Sequence, residues 1–206
     1  MLTGPTALST KVAATNLFFQ HTIAQGIYYP GLVYHLNRVY DALTVEVHRY
    51  GGSVSGFSGD AVTCWFDGDN ARRAAACAFA IQNAMRPFSA IAMPHSGPAS
   101  LTVKVAVASG PMRRFLVGDP SIQLSDTLAG TTLASLAAAE HAAEKGEVVF
   151  DEPTFHALSA IARLGEWRTR DTVRYAVVSG LTEEILPSPS VLFLMPSVLS
   201  KFACGC

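Results

Sequence analysis

The segment between residues 54 and 66 limits the possible folds most, because it has the pattern of a tight β-hairpin. Residues 54–58 and 61–66 are short and rich in the β-branched and aromatic residues typical of strands. Ser58, Gly59 and Asp60 lie between them, and glycine and aspartate are favoured in tight turns. The chain is therefore expected to contain antiparallel β-structure.

Helical patterns lie on both sides of this hairpin. Residues 8–50 are predicted to be helical, with a break near residues 26–30 that Pro30 and a nearby glycine cause. In the second half of this stretch five apolar residues share one helix face, namely Leu36, Val39, Tyr40, Leu43 and Val47. Gly51 ends that helix, and Asn70 is the predicted N-cap of an alanine-rich helix that runs to about residue 85.

The second half of the chain alternates between strand and helix patterns. Residues 101–108 are predicted to form a central strand, with residues 112–117 as its hairpin partner and 118–125 as a loop. The elements predicted after these are a helix over 128–145, a strand over 147–150, a helix over 152–159 and a strand pair over 163–178. This order predicts an α+β fold, in which helices flank a largely antiparallel central sheet. Residues 1–180 are interpreted as one domain, and residues 181–206 as a truncated or disordered tail.

Composition excludes several classes of function. The 206 residues carry a net charge of −1 and only 15% of them are charged, which gives no electrostatic case for nucleic acid or an anionic membrane surface as partner. No apolar run approaches the length of a membrane span, so a cytoplasmic protein is expected. The histidines lack zinc-site spacing, and Cys64 and Cys77 are interpreted as buried, reduced thiols.

Residues 48–85 carry a longer motif around the hairpin, HRYGGSVSGFSGDAVTCWFDGDNARRAAACAFAIQNAM. It resembles the signature of class III adenylyl and guanylyl cyclases: a helix, a Gly-Gly stop, a strand, a Gly-Asp turn, a strand ending in Phe and an Ala-rich helix. The similarity continues over residues 103–118 and 146–150, and residues 4–9 are similar to the family's Gly-Phe-Thr-x-Leu-Ser segment. The resemblance thus covers roughly residues 4–178 and implies a ferredoxin-like cyclase catalytic domain.

The resemblance implies a cyclisation reaction centred on the Gly-Asp turn. The ribose 3′-hydroxyl of a nucleoside triphosphate attacks the α-phosphate and pyrophosphate leaves. Two divalent cations per complete site, Mg²⁺ or Mn²⁺, lower the pKa of the hydroxyl and neutralise charge on the phosphates. Asp60 is the candidate metal ligand, and Gly59 is a candidate substrate-binding residue that also permits the tight backbone. The alternative for Asp60 is a structural role in which it caps its own turn.

Several residues that the family uses are absent. Its second metal-binding Asp lies on the first strand, shortly before the Gly-Phe-Thr segment. That alignment places it at or before Met1, so the first strand is expected to be truncated. The adenine-reading Lys corresponds to Gly56, and the Asn and Arg that hold the ribose and the phosphates correspond to Ala134 and Ala138. Asp126 lies one residue from the purine-reading position and is a candidate for base recognition or, alternatively, a helix N-cap.

The other charged candidates are interpreted as solvated surface groups. They are Asp67 and Asp69 after the hairpin, Arg72 and Arg73 at a helix start, and Arg113 and Arg114 at a strand start. A contact to phosphate is the alternative for the last pair.

The retained and lost residues are most similar to those of the first cyclase domain of soluble, bicarbonate-responsive adenylyl cyclases. There a second cyclase domain completes the site at a dimer interface. The resemblance therefore implies an adenylyl cyclase domain for intracellular signalling, which turns ATP into cyclic AMP and pyrophosphate when paired with a second domain. The alternative is a catalytically degenerate domain that acts as a dimerisation or regulatory module. A ferredoxin-like RNA-binding domain is a third interpretation, but the strands lack the exposed aromatic and basic residues that it needs.

Overall fold

The computed structural model describes residues 10–21, 30–58, 61–68, 70–91, 100–119 and 121–187, the first of these ranges by its backbone. In chain order the elements of this part are β1 Thr10–His21, α1 Pro30–Arg49, β2 Ser53–Ser58, β3 Ala61–Phe66, α2 Arg72–Ala84, a 3₁₀ turn Arg86–Phe88, β4 Leu101–Asp119, β5 Gln123–Ala129, α3 Thr131–Ala142, β6 Val148–Asp151, α4 Glu152–Ala157, β7 Ala162–Arg170 and β8 Val173–Leu181.

Seven of the strands follow one path through the sheet, in the order β2-β3-β1-β4-β6-β8-β7, and β5 pairs with β4 beside that path. β4 and β6 are parallel, and the other described strand pairs are antiparallel. Helices pack on both faces of this sheet. The predicted α+β class with a largely antiparallel central sheet is therefore confirmed.

The first strand corrects two predictions. β1 lies in the middle of the sheet, between β3 and β4, in a region predicted to be helical. Its sequence, TKVAATNLFFQH, combines alanine with β-branched and aromatic residues, and hydrogen bonding to two neighbours favours the strand. A first strand of 12 residues is thus present, and the expectation that it is truncated is wrong.

The helix that precedes the hairpin is confirmed and ends in a Schellman motif. α1 begins at Pro30 because the first helical position needs no backbone N–H donor. Its apolar face places Leu43 and Val47 in the core, each 1% exposed. Gly51 adopts a φ of 71°, and the Gly52 N–H donates to the Val47 carbonyl at 2.8 Å. This abrupt stop lets β2 start at once.

β4 is a single strand of 19 residues, whereas residues 101–108 and 112–117 are predicted to be hairpin partners. Pro111 lies in the gap between the part of β4 that pairs with β6 and the part that pairs with β5. Its carbonyl accepts a hydrogen bond from Thr132 Oγ1 at 3.0 Å, so that edge of the residue faces helix α3. Proline is tolerated there because no strand pairs with this edge and needs its missing N–H.

The last residues of β4, from Arg113 to Asp119, pair with β5. Asp119 lies opposite Gln123 in this antiparallel pair. β5 takes up residues predicted to be loop and the first residues predicted to be helix, so α3 begins at Thr131. The predicted hairpin β2–β3, helices α2 and α4, strand β6 and the pair β7–β8 are confirmed with small shifts at their ends. Asn70 is not the N-cap of α2: Ala71 takes that position with a φ of 62° and no side-chain cap.

Alternation along the strands separates two cores. Val62, Cys64 and Phe66 of β3 are buried on the face that α1 and α2 cover. On β4, Ala106 and Ala108 lie on the opposite face, where small side chains allow α3 to pack closely. The predicted buried thiols are confirmed, and burial raises the pKa of Cys64 to about 12.

The described helices contain no stretch long and apolar enough to cross a bilayer. β8 ends at Leu181, and Ile185 packs against the core beneath α1 and α2. Residues 188–206, which include most of the predicted tail, lie outside the described residues.

Candidate functional site

The β2–β3 hairpin provides the framework of the candidate site. Ser58 pairs with Ala61, so Gly59 and Asp60 are the two residues that connect the strands. This is the turn position expected from the sequence. Gly59 and Asp60 themselves lie outside the described residues, so their roles in substrate and metal binding remain predictions.

β1 lies beside this turn and contains no acidic residue. It runs antiparallel to β3, with Phe18 opposite Ala61 and Asn16 opposite Thr63. Its sequence has no Asp or Glu at any of its positions. No carboxylate of β1 is therefore present beside the turn. Residues 4–9, predicted to match the family's Gly-Phe-Thr segment, lie outside the described residues.

β4 brings a positive charge to the same end of the sheet. Lys104 pairs with Phe18, and its Nζ lies 2.7 Å from Glu140 Oε1 and donates to the Glu140 carbonyl at 3.0 Å. The two side chains are only 17% and 10% exposed. Because Glu140 neutralises a largely buried ammonium group, its carboxylate is committed to that ion pair.

The carboxyl end of α3 is held in place by a second ion pair. Arg168 donates to the Ala142 carbonyl at 2.6 Å and makes a bidentate contact with Glu147 at 2.7 and 2.9 Å. These hydrogen bonds lower the pKa of Glu147 below its usual range. Glu140 and Lys104 are thereby fixed relative to the sheet.

The positions aligned with the family's Lys, Asn and Arg offer no polar side chain. Gly56 is exposed next to a β-bulge, and a Cβ atom placed on it meets nothing within 4 Å, so a larger side chain would fit. On α3, Ala134 is exposed and Ala138 is half-buried. Neither can donate a hydrogen bond to a ribose or a phosphate.

Asp126 lies on β5, opposite Leu116 and ahead of the N-cap of α3, which is Gly130. The alternative that Asp126 caps the helix is therefore wrong. Base recognition by this residue remains a prediction.

The arginines near the hairpin have structural contacts. Arg73, expected to be a simple surface charge, donates to the Asp67 carbonyl at 2.5 Å and to the Tyr50 and Gly51 carbonyls at 3.3 and 3.4 Å. It ties the end of α1 to the turn after β3. Arg114 is exposed, as expected, and its guanidinium lies 4.7 Å from the centre of the Trp65 ring.

A buried polar cluster on the other side of β4 was not apparent from the sequence pattern. Asp151 is 5% exposed and accepts a hydrogen bond from the Thr154 N–H at 3.1 Å, which makes it the N-cap of α4. Thr154 Oγ1 also bonds Ser109 Oγ at 2.9 Å. Burial raises the pKa of Asp151. The signal that identifies it is Asp followed by Glu-Pro, a typical helix start.

The described residues do not form a two-cation site by themselves. In the described part of the chain no three His, Cys, Asp or Glu side chains are grouped so that they could hold a metal. The sequence of β1 contains no acidic residue, and Glu140 is paired with Lys104. Asp60 is then a single carboxylate at the turn, whereas two clustered cations require several anionic ligands.

Known structures share this arrangement of elements. The chain is similar to the dimeric guanylyl cyclase domain of the RhoGC fusion protein from the fungus Blastocladiella emersonii (17% identity, TM-score 0.71, 87% of this chain and 100% of that one). It is also similar to the adenylyl cyclase CyaB from P. aeruginosa (15%, 0.67, 87% and 97%) and to the guanylate cyclase domain of RhGC from Catenaria anguillulae in complex with GTP (16%, 0.67, 84% and 100%). No protein-family profile and no curated protein sequence matches the chain. It therefore has the fold of class III cyclase catalytic domains.

Proposed function

We propose that this chain is one half of a paired nucleotidyl cyclase, in which a second cyclase domain supplies most of the residues that convert ATP into cyclic AMP and pyrophosphate. The observation that carries the proposal is the β2–β3 hairpin, whose two-residue connection, Gly59-Asp60, occurs within the cyclase fold. In this pair Asp60 is the residue that the chain offers to Mg²⁺ or Mn²⁺. The cations supply charge neutralisation at the phosphates when bound.

Pairing is supported by the ribbon formed by residues 112–119 and β5. This ribbon has two strands and extends beyond the pairing with β6. Val117 on its first strand is 56% exposed, and Ile122 in the turn between its strands is 83% exposed. A two-stranded ribbon with exposed apolar side chains is only marginally stable unless another surface covers it. Two of the similar structures bear on this arrangement, since one is a dimer and another binds GTP.

The choice of ATP rests on the retained and lost sequence motifs, which resemble those of the first cyclase domain of soluble, bicarbonate-responsive adenylyl cyclases. The proposal assigns this chain the corresponding role, because Gly56, Ala134 and Ala138 leave base reading and phosphate clamping to the partner. The similar solved structures include both adenylyl and guanylyl cyclases, so GTP belongs in the same assay.

The test is reconstitution. The chain is mixed with a second cyclase domain that carries its own Lys, Asn and Arg. ATP and GTP are supplied in turn, and the formation of cyclic AMP and of cyclic GMP is measured with Mn²⁺ and with Mg²⁺. We expect the chain alone to be inactive and the pair to exceed the partner alone. Asp60→Asn should reduce the activity of the pair by at least about tenfold, as the loss of a catalytic electrostatic contact does. The matched control is Asp67→Asn, which changes an exposed turn residue after β3 and should have no effect.

A second candidate function is a regulatory module that pairs with a complete cyclase domain and contributes no catalytic residue. The absence of an acidic residue from β1, together with Ala134 and Ala138, favours it. The same experiment separates the two candidates. If the chain changes the activity of its partner and Asp60→Asn makes no difference, the regulatory role is correct. If no pair forms in sedimentation experiments, both proposals are wrong.

A further inference from the structure

We infer that the β7–β8 hairpin clamps the carboxyl end of α3, and that the strained turn of this hairpin controls whether the last turn of the helix stays ordered. The device lies within this chain and does not depend on the proposed function. Two observations carry it: side-chain contacts to successive carbonyls of α3, and the backbone angles of the turn between β7 and β8.

The carboxyl end of α3 has no glycine cap. A helix leaves its last carbonyls without backbone partners, and a left-handed glycine directly after the helix often satisfies them. The residue after α3 is Ala143, whose backbone is extended, with φ −82° and ψ 142°. Its N–H reaches the Glu140 carbonyl at 3.1 Å, and the N–H of Gly146 donates to Val103 of β4 instead. The end of α3 therefore needs partners from other elements.

Three cationic side chains from β4 and β7 supply these partners. Positive charge is favoured at a helix carboxyl end, where the macrodipole is negative. A helix of 12 residues is only marginally stable by itself, so its last turn depends on such contacts. The cations reach the last three residues of the helix: Lys104 donates to the Glu140 carbonyl at 3.0 Å, Arg170 to the His141 carbonyl and Arg168 to the Ala142 carbonyl at 2.6 Å.

Two of these three cations belong to the β7–β8 hairpin. Arg168 is held firmly, because its guanidinium also bonds Glu147 at 2.7 and 2.9 Å and Glu166 at 2.7 Å. Arg170 lies two residues further along β7, on the same face of the strand, and is exposed. Hydrogen bonds from charged donors are stronger than those between neutral groups. The hairpin and the end of α3 therefore form one unit.

The turn between β7 and β8 is strained. Asp171 and Thr172 connect Arg170 to Val173, and both have a positive φ, 48° and 68°. Positive φ at both residues is typical of a type I′ turn, whose second residue is usually glycine. For a β-branched residue such as Thr172 this conformation is unfavourable and persists only where its surroundings enforce it. The contacts to α3 enforce it here, so relaxation of the turn acts against the clamp.

The exposed turn is thus the point from which the end of α3 can be released. Asp171, Thr172 and Val173 are accessible to another molecule, and Val173 is 47% exposed. A molecule that draws the turn away from α3 removes two cationic caps at once. The last turn of the helix then loses order, while the rest of α3 stays packed against β4.

The experiment is hydrogen–deuterium exchange of the purified chain, resolved to single amides by NMR. The double variant Arg168→Met, Arg170→Met keeps the apolar stems of both side chains and removes their donors. Exchange at residues 140–143 is expected to become at least about tenfold faster, because each lost contact is a hydrogen bond from a charged donor. The matched control is Arg174→Met. It changes an arginine of the same hairpin that contacts Trp167 and not α3, and should leave residues 140–143 unchanged.

Thr172→Gly tests the strained turn separately. Glycine adopts a positive φ without strain, so an open clamp no longer gains from relaxation of the turn. Exchange at residues 140–143 should therefore become slower than in the wild type, by about fivefold. The same substitution should have no effect on these amides in the Arg168→Met, Arg170→Met background, where the clamp is already lost.

Two results would overturn the inference. One is unchanged exchange at residues 140–143 in the double arginine variant with native circular dichroism, since the helix end would then not need the hairpin. The other is equal exchange at these amides in Thr172→Gly and the wild type, since the turn would then not be coupled to α3. If the double variant does not fold, Arg170→Met alone, at an exposed position, replaces it with the same expected direction.

Discussion

At the scale of single residues, two glycines near the hairpin show that the residue type alone does not predict whether a larger side chain is tolerated. A Cβ atom on Gly52 would lie 2.6 Å from two ring atoms of Phe66, which is fully buried, whereas a Cβ atom on Gly56 meets nothing within 4 Å. Gly52 is thus required by close packing between the start of β2 and the core. No neighbouring atom prevents a larger side chain at Gly56.

These surroundings predict different changes in stability for the same glycine-to-alanine substitution at the two positions. Gly52→Ala should lower the free energy of unfolding by about 1–3 kcal/mol, because the phenyl ring must shift in a packed core. Gly56→Ala should change it by less than about 0.5 kcal/mol, as other exposed substitutions do. Urea denaturation of both variants measures the difference. Equal losses would mean that the Phe66 ring adapts without cost.

Asp151 predicts an unusual pH dependence. Burial raises the pKa of its carboxyl in the folded chain above the value in the unfolded chain. In the pH window between those two values the folded chain binds more protons, so stability falls as pH rises through the raised pKa and is greatest below the unfolded one.

Comparison of the wild type with Asp151→Asn isolates the contribution of Asp151 protonation to the stability of the folded chain. The stability of the wild type relative to the variant should increase as the pH is lowered through the raised pKa, in thermal unfolding followed by circular dichroism. Asp151→Ala should lose about 0.5–2 kcal/mol at neutral pH, because it removes the N-cap hydrogen bond to Thr154, whereas asparagine can still cap. A constant difference between wild type and Asp151→Asn across acidic pH would contradict the assignment.

At the scale of elements, the ribbon of residues 112–119 and β5 carries exposed apolar side chains that packing within the described fold does not account for. Val117 on the ribbon and Ile122 in the turn between its strands are exposed and pack into neither core. Replacing both by serine should leave the melting temperature of the isolated chain unchanged, since no buried contact is lost. The same change should weaken association with the second cyclase domain, measured by analytical ultracentrifugation. Exposed Leu164 of β7, replaced by serine, is the matched control.

The elements also show where sequence patterns are sufficient. The hairpin, α1, α2, β6 and the β7–β8 pair carry local signals, such as Gly51 after an amphipathic face and Asp151 before Glu-Pro. β1 carries no such signal, because its strand character comes from partners far along the chain. In β4 the pattern of residues 101–108 predicts the first part of the strand. Its continuation through Gly110-Pro111, where Thr132 of α3 bonds the Pro111 carbonyl, is not predicted.

At the scale of the whole molecule, the order of motifs predicted the cyclase fold, but not which parts of a site survive in it. The losses at Gly56, Ala134 and Ala138 can be read from the sequence once the motifs are aligned. The missing carboxylate could not be assigned, because its place depends on where the first strand lies. The backbone shows that a first strand is present over Thr10–His21, and its sequence contains no acidic residue.

The central position of β1 has a consequence for synthesis of the chain. Thr10 pairs with Met112, so about 100 further residues must be synthesised after β1 before its second neighbour exists. At ordinary elongation rates that delay lasts on the order of 10 s. During it β1 has at least one edge without a partner strand, because only β3 can pair with it before β4 is made. Any start site or tag junction that disturbs residues 10–21 would divide the sheet at its centre, and expression yield, more than the activity of the finished protein, would register the damage.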